Sequence, residues 1–163
     1  MNGRIRIVKT DDEIKATVKL AREIWTQHYL PIIGQEQVDY MLKKYQSYEA
    51  VSNQITGGYI YYLAFDGDIP CGYSAINDDR GVFLSKFYVK DSFRGRGIGR
   101  AMIKTIQDYA REKGFGRIWL TCNKYNSDTL EIYKKLGFSI IDSIVTDIGN
   151  GFVMDDYVLE KQL

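Results

Sequence analysis

Hydrophobic and polar positions alternate along this chain with two different periods. Arg4 to Lys9 alternates, with Ile5 and Ile7 on one face and charged residues on the other, which predicts a short strand. Asp11 or Asp12 is placed to cap the helix that follows. Ile14, Val18, Ala21 and Trp25 then recur at helical spacing to about Tyr29, and Pro31 lies beyond the predicted end. Gln35 to Tyr48 repeats the helical period with Val38, Leu42 and Tyr45 on one side, and Gly57-Gly58 closes this region. From Tyr59 the period falls toward two. Tyr59 to Phe65 and Cys71 to Ile76 read as strands joined into a hairpin by Asp66-Gly67-Asp68, and Val82 to Val89 reads as a third after the polar run Asn77 to Gly81. A helix is predicted from about Gly97, burying Met102, Ile103, Ile106 and Ala110 and stopping at Gly114. Arg117 to Cys122 is the next strand, Asp128 to Leu136 a short helix closed by Gly137, and Phe138 to Thr146 and Phe152 to Leu159 are two further strands.

Three consecutive strands with short polar turns predict an antiparallel meander. The unit from Val82 to Cys122 is strand, helix, strand, and its crossover is long enough to force a parallel pair. The expectation is an α/β protein with a mixed sheet, antiparallel at first and parallel in the middle, with helices on its faces. Ligands of such sheets bind at the carboxyl ends of parallel strands, which directs attention to the loop after Val89. No repeat, linker or low-complexity segment interrupts residues 1–163, so a single domain is expected.

Composition narrows the function classes. Lys and Arg number 22 against 21 Asp and Glu, a net charge of +1, so there is no overall field to hold nucleic acid or an acidic membrane, and neither partner is expected. Cys71 and Cys122 are two separate thiols, too few for a disulfide framework or a Cys/His zinc site; no metal is expected, and a reducing setting fits. The opening M-N-G-R-I-R-I-V-K lacks the apolar run of a secretory signal, and no window reaches the length of a membrane span, so the expected location is cytoplasmic. The unusual count is 13 tyrosines, each with a polar end that needs a partner or water.

The candidate chemistry lies in Arg94-Gly95-Arg96-Gly97-Ile98-Gly99-Arg100, with three glycines within five residues at a predicted helix N-terminus. The first turn of a helix has unpaired N–H groups and a positive dipole end, and glycines let the backbone close round an anion. Flanking guanidiniums add charge and bidentate bonds, so the predicted ligand is a phosphate or pyrophosphate. The competing reading is a tight strand-to-helix turn with three solvated arginines. A dinucleotide fingerprint fails, because counting from Gly95 or Gly97 puts Arg100 or Met102 where its third glycine belongs. A P-loop fails too, for want of Lys-Ser or Lys-Thr after the glycines.

What does match is R-x-x-G-x-G. The segment L-S-K-F-Y-V-K-D-S-F-R-G-R-G-I-G, Leu84 to Gly99, resembles the acyl-CoA signature of the GNAT superfamily of N-acetyltransferases, and N-K-Y-N-S-D-T-L-E-I-Y-K-K-L-G-F, Asn123 to Phe138, resembles that family's downstream motif N-x6-Y-x3-G-F. Together they span Leu84 to Phe138, about a third of the chain, and come in the family's order, and a weaker likeness runs to bacterial polyamine acetyltransferases. The resemblance implies the GNAT fold: a mixed, mostly antiparallel sheet of six to seven strands with a central parallel pair and about four helices. It implies acetyl-CoA as acyl donor. By position, the backbone of Phe87, Tyr88 and Val89 pairs with the pantetheine arm and helps hold the thioester carbonyl. Arg94, Gly95, Arg96, Gly97, Ile98 and Gly99, with Arg100, wrap the pyrophosphate; Asn126 hydrogen-bonds the cosubstrate; Tyr133 is the general acid at the sulfur. A phenol with a pKa near 10 is protonated at neutral pH and can protonate the leaving thiolate.

These residues also have plainer readings. Tyr133 sits between Leu130 and Leu136 on a short helix, where core packing explains an aromatic; Asn126 can be a helix cap, and Asn123 a turn residue. The general base stays unassigned, because Val82 to Phe87 holds no carboxylate where many relatives carry Glu. His28 has the right pKa range but lies at the end of an amphipathic helix, where a surface or packing role competes, and Asp142, Asp147, Asp155 and Asp156 lie in or beside the last strands. Around the implied acceptor groove, Tyr29, Tyr40, Tyr45 and Tyr48 accompany Glu36, Asp39, Glu49, Asp147, Asp155 and Asp156, a mixture suited to a cationic amine. A polyamine or other small amine is the expected acceptor. A protein or peptide amine, and a non-catalytic acyl-CoA binding domain, are the alternatives, and a homodimer through an exposed C-terminal strand is also open.

Overall fold

The computed structural model describes residues 3–163. Its first strand, β1 (Gly3–Ile7), leads into helix α1 (Asp11–Ile33). The cap of α1 is Thr10 rather than Asp11 or Asp12: its Oγ1 accepts from the Glu13 N–H at 3.1 Å while the Glu13 carboxylate accepts from the Thr10 N–H at 2.9 Å, a reciprocal capping box. The helix also runs past Tyr29, through Pro31, to Ile33. Pro31 has no N–H for the Gln27 carbonyl, and the helix ends two residues after it, where Gly34 at φ +84° donates its N–H to the Leu30 carbonyl. The second helical stretch breaks into α2 (Gln35–Tyr45) and α3 (Tyr48–Thr56), because Ser47 caps a new helix by accepting from the Ala50 N–H at 3.2 Å.

The hairpin follows as β2 (Ile60–Asp66) and β3 (Ile69–Asp78), paired antiparallel up to Asp66 opposite Ile69, and then come β4 (Val82–Val89), a 3-10 turn at Asp91–Phe93, α4 (Ile98–Glu112), β5 (Arg117–Asn123), α5 (Ser127–Lys135), β6 (Ser139–Gly149) and β7 (Phe152–Gln162). The sheet has seven strands in the order β1-β2-β3-β4-β5-β7-β6, with β4–β5 its one parallel pair. This is the mixed α/β sheet expected, with α3 added to the helices. No described helix is long and apolar enough to cross a membrane.

Strand periodicity places a core on each face. Tyr61, Leu63, Tyr73 and Ala75 point to one side, against Leu20, Ala21 and Ile24 of α1 and Val51 of α3. Tyr62, Ile76, Leu84, Ile118 and Leu120 point to the other, against Ile103, Ile106 and Ala110 of α4 and Leu130 and Tyr133 of α5. Sandwiched this way, the sheet carries apolar residues on both faces of its central strands.

Two irregularities set up the site. Between β3 and β4 the register moves from Ala75 opposite Lys86 to Ile76 opposite Leu84, which leaves Ser85 as an extra residue and bends β4. Between β4 and β5 only Val82–Ile118 and Phe83–Trp119 pair. Beyond them the strands part, so the rest of β4 offers β5 an unpaired backbone edge.

Candidate active site

The parting of β4 and β5 opens a cavity of about 740 Å³ at their carboxyl ends. It is lined on one side by Phe87, Tyr88 and Val89, and on the other by Thr121, Cys122 and Asn123 of β5 and Tyr133 of α5. One end reaches the glycine turn, and the other runs between α1, α2 and the β6–β7 hairpin.

At the turn, Gly95 and Gly97 have φ of +76° and +80°, the left-handed region that glycine enters without steric cost, and a Cβ on Gly95 would meet nothing within 4 Å. Gly97 is the N-cap of α4, so the free N–H groups of the first turn and the positive end of the helix dipole face the cavity mouth. Arg94, Gly95, Gly97, Ile98, Gly99 and Arg100 all line it. Ile98 does so with its backbone, since its side chain is buried against Ala64, Cys71 and Met102. Arg96 turns away: its guanidinium pairs with Asp66 at 2.9 Å, on the β2–β3 hairpin, and lies over the Phe93 ring. Arg94 stays at the mouth, held by Asp91 at 3.0 Å.

Tyr133 is buried on the inner face of α5, its ring 5.9 Å from Phe87 and 5.7 Å from Phe138. Burial holds its phenol well above the ordinary tyrosine range, with Cys122 and Tyr29 adding to the effect, so the group stays protonated. Asn126 occupies the N-cap position of α5, but its side chain makes no cap bond there. Instead its Oδ1 lies 2.9 Å from His28 Nε2, and its Nδ2 donates to the Tyr29 hydroxyl at 3.4 Å, which ties α5 to α1 behind the cavity wall. His28, also edge-on to Tyr29 at 4.9 Å, thereby belongs to the site's frame.

The acceptor-side residues divide sharply. Tyr29 and Tyr45 line the cavity; Tyr40 instead donates to the Ile148 carbonyl at 2.7 Å, and Tyr48 is an exposed partner of Asp11. Of the six acids read as acceptor-side candidates, Asp156 alone lines the cavity. It is 5% exposed, and burial, helped by Asp155, pushes its carboxyl up to about 6.

Lys86 is a second buried charge that the pattern did not announce. It is 5% exposed on β4, donates to the Tyr45 carbonyl and the Tyr61 hydroxyl, and is brought down to about 7 by desolvation. A lysine and an aspartate in otherwise apolar stretches were the signals available: Lys86 next to Phe87 and Tyr88, and Asp156 between Met154 and Val158.

The profile of the Acetyltransferase (GNAT) family matches residues 17–138. An uncharacterized N-acetyltransferase of Lactobacillus delbrueckii subsp. lactis is 21% identical, and the match covers 98% of each chain. Streptothricin acetyltransferase of Streptomyces lavendulae is 31% identical over 77 residues, 45% of this chain and 40% of that one. Among solved structures, the PaiA N-acetyltransferase from Thermoplasma acidophilum, crystallised in complex with coenzyme A, superposes with a TM-score of 0.85 over 100% of both chains at 22% identity.

Proposed function

The chain belongs to the acetyltransferase (GNAT) family, and on that premise we propose that residues 1–163 act as one N-acetyltransferase domain, moving an acetyl group from acetyl-CoA to a small primary amine by direct attack in a ternary complex. One observation carries the reading: β4 and β5 separate after two residue pairs, and the opening has an anion-binding helix N-terminus at one end and a buried, protonated phenol on its wall.

The residues divide the work. Gly95, Gly97 and Gly99 leave the first-turn N–H groups of α4 open to a diphosphate, with Arg94 and Arg100 beside it. The free edge of β4 at Phe87, Tyr88 and Val89 offers peptide groups to the pantetheine arm and, at the thioester, an N–H for the oxyanion that forms on attack. Tyr133 protonates the departing thiolate. Asn126 serves the donor site through α5, which it starts, and His28 and Tyr29 keep it in place. Arg96 adds to the positive field at the turn, without a place on the cavity surface.

The polyamine expected from the sequence is one member of the proposed acceptor class, as are small amino compounds. A β6-mediated homodimer belongs to the same proposal: β6 is the outermost strand, and Ile140, Ile141, Ile144 and Val145 are exposed along it. A purely monomeric mass by light scattering removes it. The unpaired Cys71 and Cys122 fit a reducing cytoplasm.

Free-thiol release from acetyl-CoA, measured with spermidine, an aminoglycoside, amino acids, 2-phenylethylamine and short peptides, tests the main reading. Turnover above the water blank with at least one small amine is expected. Tight acetyl-CoA binding by calorimetry with no turnover on any of them replaces transfer by an acyl-CoA binding role, and turnover on peptides alone moves the acceptor to protein amines.

A further inference from the structure

The proton that the attacking amine must lose has no assigned recipient, and two buried titratable side chains on the cavity wall are left over: Lys86, which is bonded to the Tyr45 carbonyl and the Tyr61 hydroxyl, and Asp156. Asp156 lies on β7 opposite Asn123 of β5, two residues from Met154, which lines the cavity beside it. Its Oδ1 is buried with no hydrogen-bond partner among the described residues. A carboxylate oxygen removed from water and left unbonded is costly, and such groups are kept where they meet a ligand. Around this end of the cavity stand Trp25, Tyr29, Ile33, Met41 and Ile148, so the carboxylate is a single negative charge in an aromatic and aliphatic box.

We propose that Asp156 anchors the ammonium of the acceptor and takes its proton, and that the box around it selects a primary amine with one cationic group on an apolar body. This rests on the acetyl-transfer reading above. The balance is complete without further reagents. R–NH3+ gives one proton to the Asp156 carboxylate, and the freed lone pair forms the N–C bond while the carbonyl pair moves to oxygen. Collapse of the oxyanion breaks the C–S bond, whose electron pair leaves with sulfur. Tyr133 protonates that thiolate and recovers a proton from the new amide nitrogen, and Asp156 releases its own to solvent. One amide and one thiol form, with one net proton.

Several elements bear on the titration of Asp156, and His28 of α1 and Lys86 of β4 line the same cavity. On β7 the neighbouring Asp155 raises it, and Lys124, just past β5 and 2.9 Å from Asp155, lowers it. Cys122 of β5 and Tyr29 of α1 lie within electrostatic reach of both Asp156 and Tyr133, which sets the two proposed proton-transfer groups about the same point. On β6 the residue opposite is Ile144, which has no charge, and the α2 residues facing this end, Met41 and Tyr45, bring no charge at neutral pH.

The test compares wild type with Asp156→Asn on the best small amine of the panel, folding being checked by retained acetyl-CoA affinity. With Asp156 ionised and the amine protonated, wild-type kcat/KM rises to a plateau above about pH 6 to 7. The variant can use only the unprotonated amine, so its kcat/KM climbs about tenfold per pH unit toward the amine's own pKa, from a value at pH 7 about a hundredfold or more below wild type. A loss under threefold with an unchanged profile overturns the assignment. For substrate class, kcat/KM for 2-phenylethylamine is expected to exceed that for spermidine at least tenfold, and spermidine as the better substrate overturns that half. If Asp156→Asn does not fold, or no amine turns over, wild type labelled with 13C at its aspartate carboxyls is titrated in its CoA complex. One carboxyl with a midpoint near 6 that moves down with 2-phenylethylammonium supports the proposal, and a midpoint indifferent to the amine overturns it. Absence of thiol release by itself defeats the transfer reading and leaves this titration to decide Asp156.

Discussion

At the α4 end of the cavity the ligand-facing groups come from one run of chain, Arg94 to Arg100, and most are backbone; at the α1–α2 end they are side chains of α1, α2, β6 and β7, brought together from nearly the whole sequence. The first end presents N–H groups and cations, the second rings, aliphatic surface, one carboxylate and the Lys86 amine. A site of main-chain donors depends on φ and on the space left by missing Cβ atoms, so it changes little when neighbouring side chains vary. A site of packed side chains changes with each of them. On the proposed reading, the donor end is set by backbone and the acceptor end by side chains.

Substitutions at the two ends and at their junction sharpen that contrast. The largest effect is expected at the junction. Tyr133→Phe keeps the packing against Phe87 and Phe138 but removes the proton donor, and thiol release should fall by about a hundredfold or more with acetyl-CoA affinity nearly unchanged. Full retained activity would reassign the acid. Next comes Gly97→Val, which puts a β-branched residue at φ +80° and should cost about 2 kcal/mol locally. Acetyl-CoA affinity by calorimetry should drop at least tenfold while the acceptor KM is nearly unaltered; a parallel change in both would mean that the two ends are not independent.

Lys86 tests the acceptor side by stability. With a folded-state value of about 7 against an ordinary 10.5, the cost of burying its charge is fully present below pH 7 and fades as pH rises toward 10.5, so stability rises through that window. Lys86→Met removes the charge, and Gln54 still serves both former partners: it accepts from the Tyr61 hydroxyl at 2.6 Å and donates to the Tyr45 carbonyl at 3.3 Å. The variant should be more stable by on the order of 1–2 kcal/mol at pH 7, with the advantage shrinking by pH 9 to 10 in denaturant melts. An advantage that does not vary with pH would place the effect elsewhere. The smallest effect separates the three arginines of one motif. Arg94→Ala and Arg100→Ala should each weaken acetyl-CoA binding several-fold, whereas Arg96→Ala, whose guanidinium faces Asp66, should stay within about twofold.

The glycine turn was legible because three residues that free the backbone stand next to residues of fixed charge, and both properties belong to the residues themselves. Arg96 shows where this stops: its spacing is that of a phosphate ligand, but the β2–β3 hairpin offers it Asp66 first. The break between α2 and α3 escaped the pattern because Val38, Leu42 and Tyr45 continue the helical period up to it, and only Ser47 marks the new start. Pro31 differs in the other direction: the helix continues through it to Ile33 at the cost of one backbone bond, a trade that the local pattern does not show. Asp156 and Asp155 are adjacent acids that composition cannot tell apart, yet strand pairing turns one into the cavity and the other toward Lys124.

By itself the sequence determined which segments are strands and helices at the sheet's centre, the glycine and arginine turn, and the Asn126–Tyr133 spacing, because these follow from backbone freedom, periodicity and charge over a few neighbouring residues. The tertiary structure decided that β4 and β5 part after Phe83 and Trp119, that Asn126 is held by His28 and Tyr29, and that Asp156 is the one of six acids that lines the cavity. Those outcomes depend on which distant groups come within a few ångströms and which lose their water, and no local pattern carries either quantity.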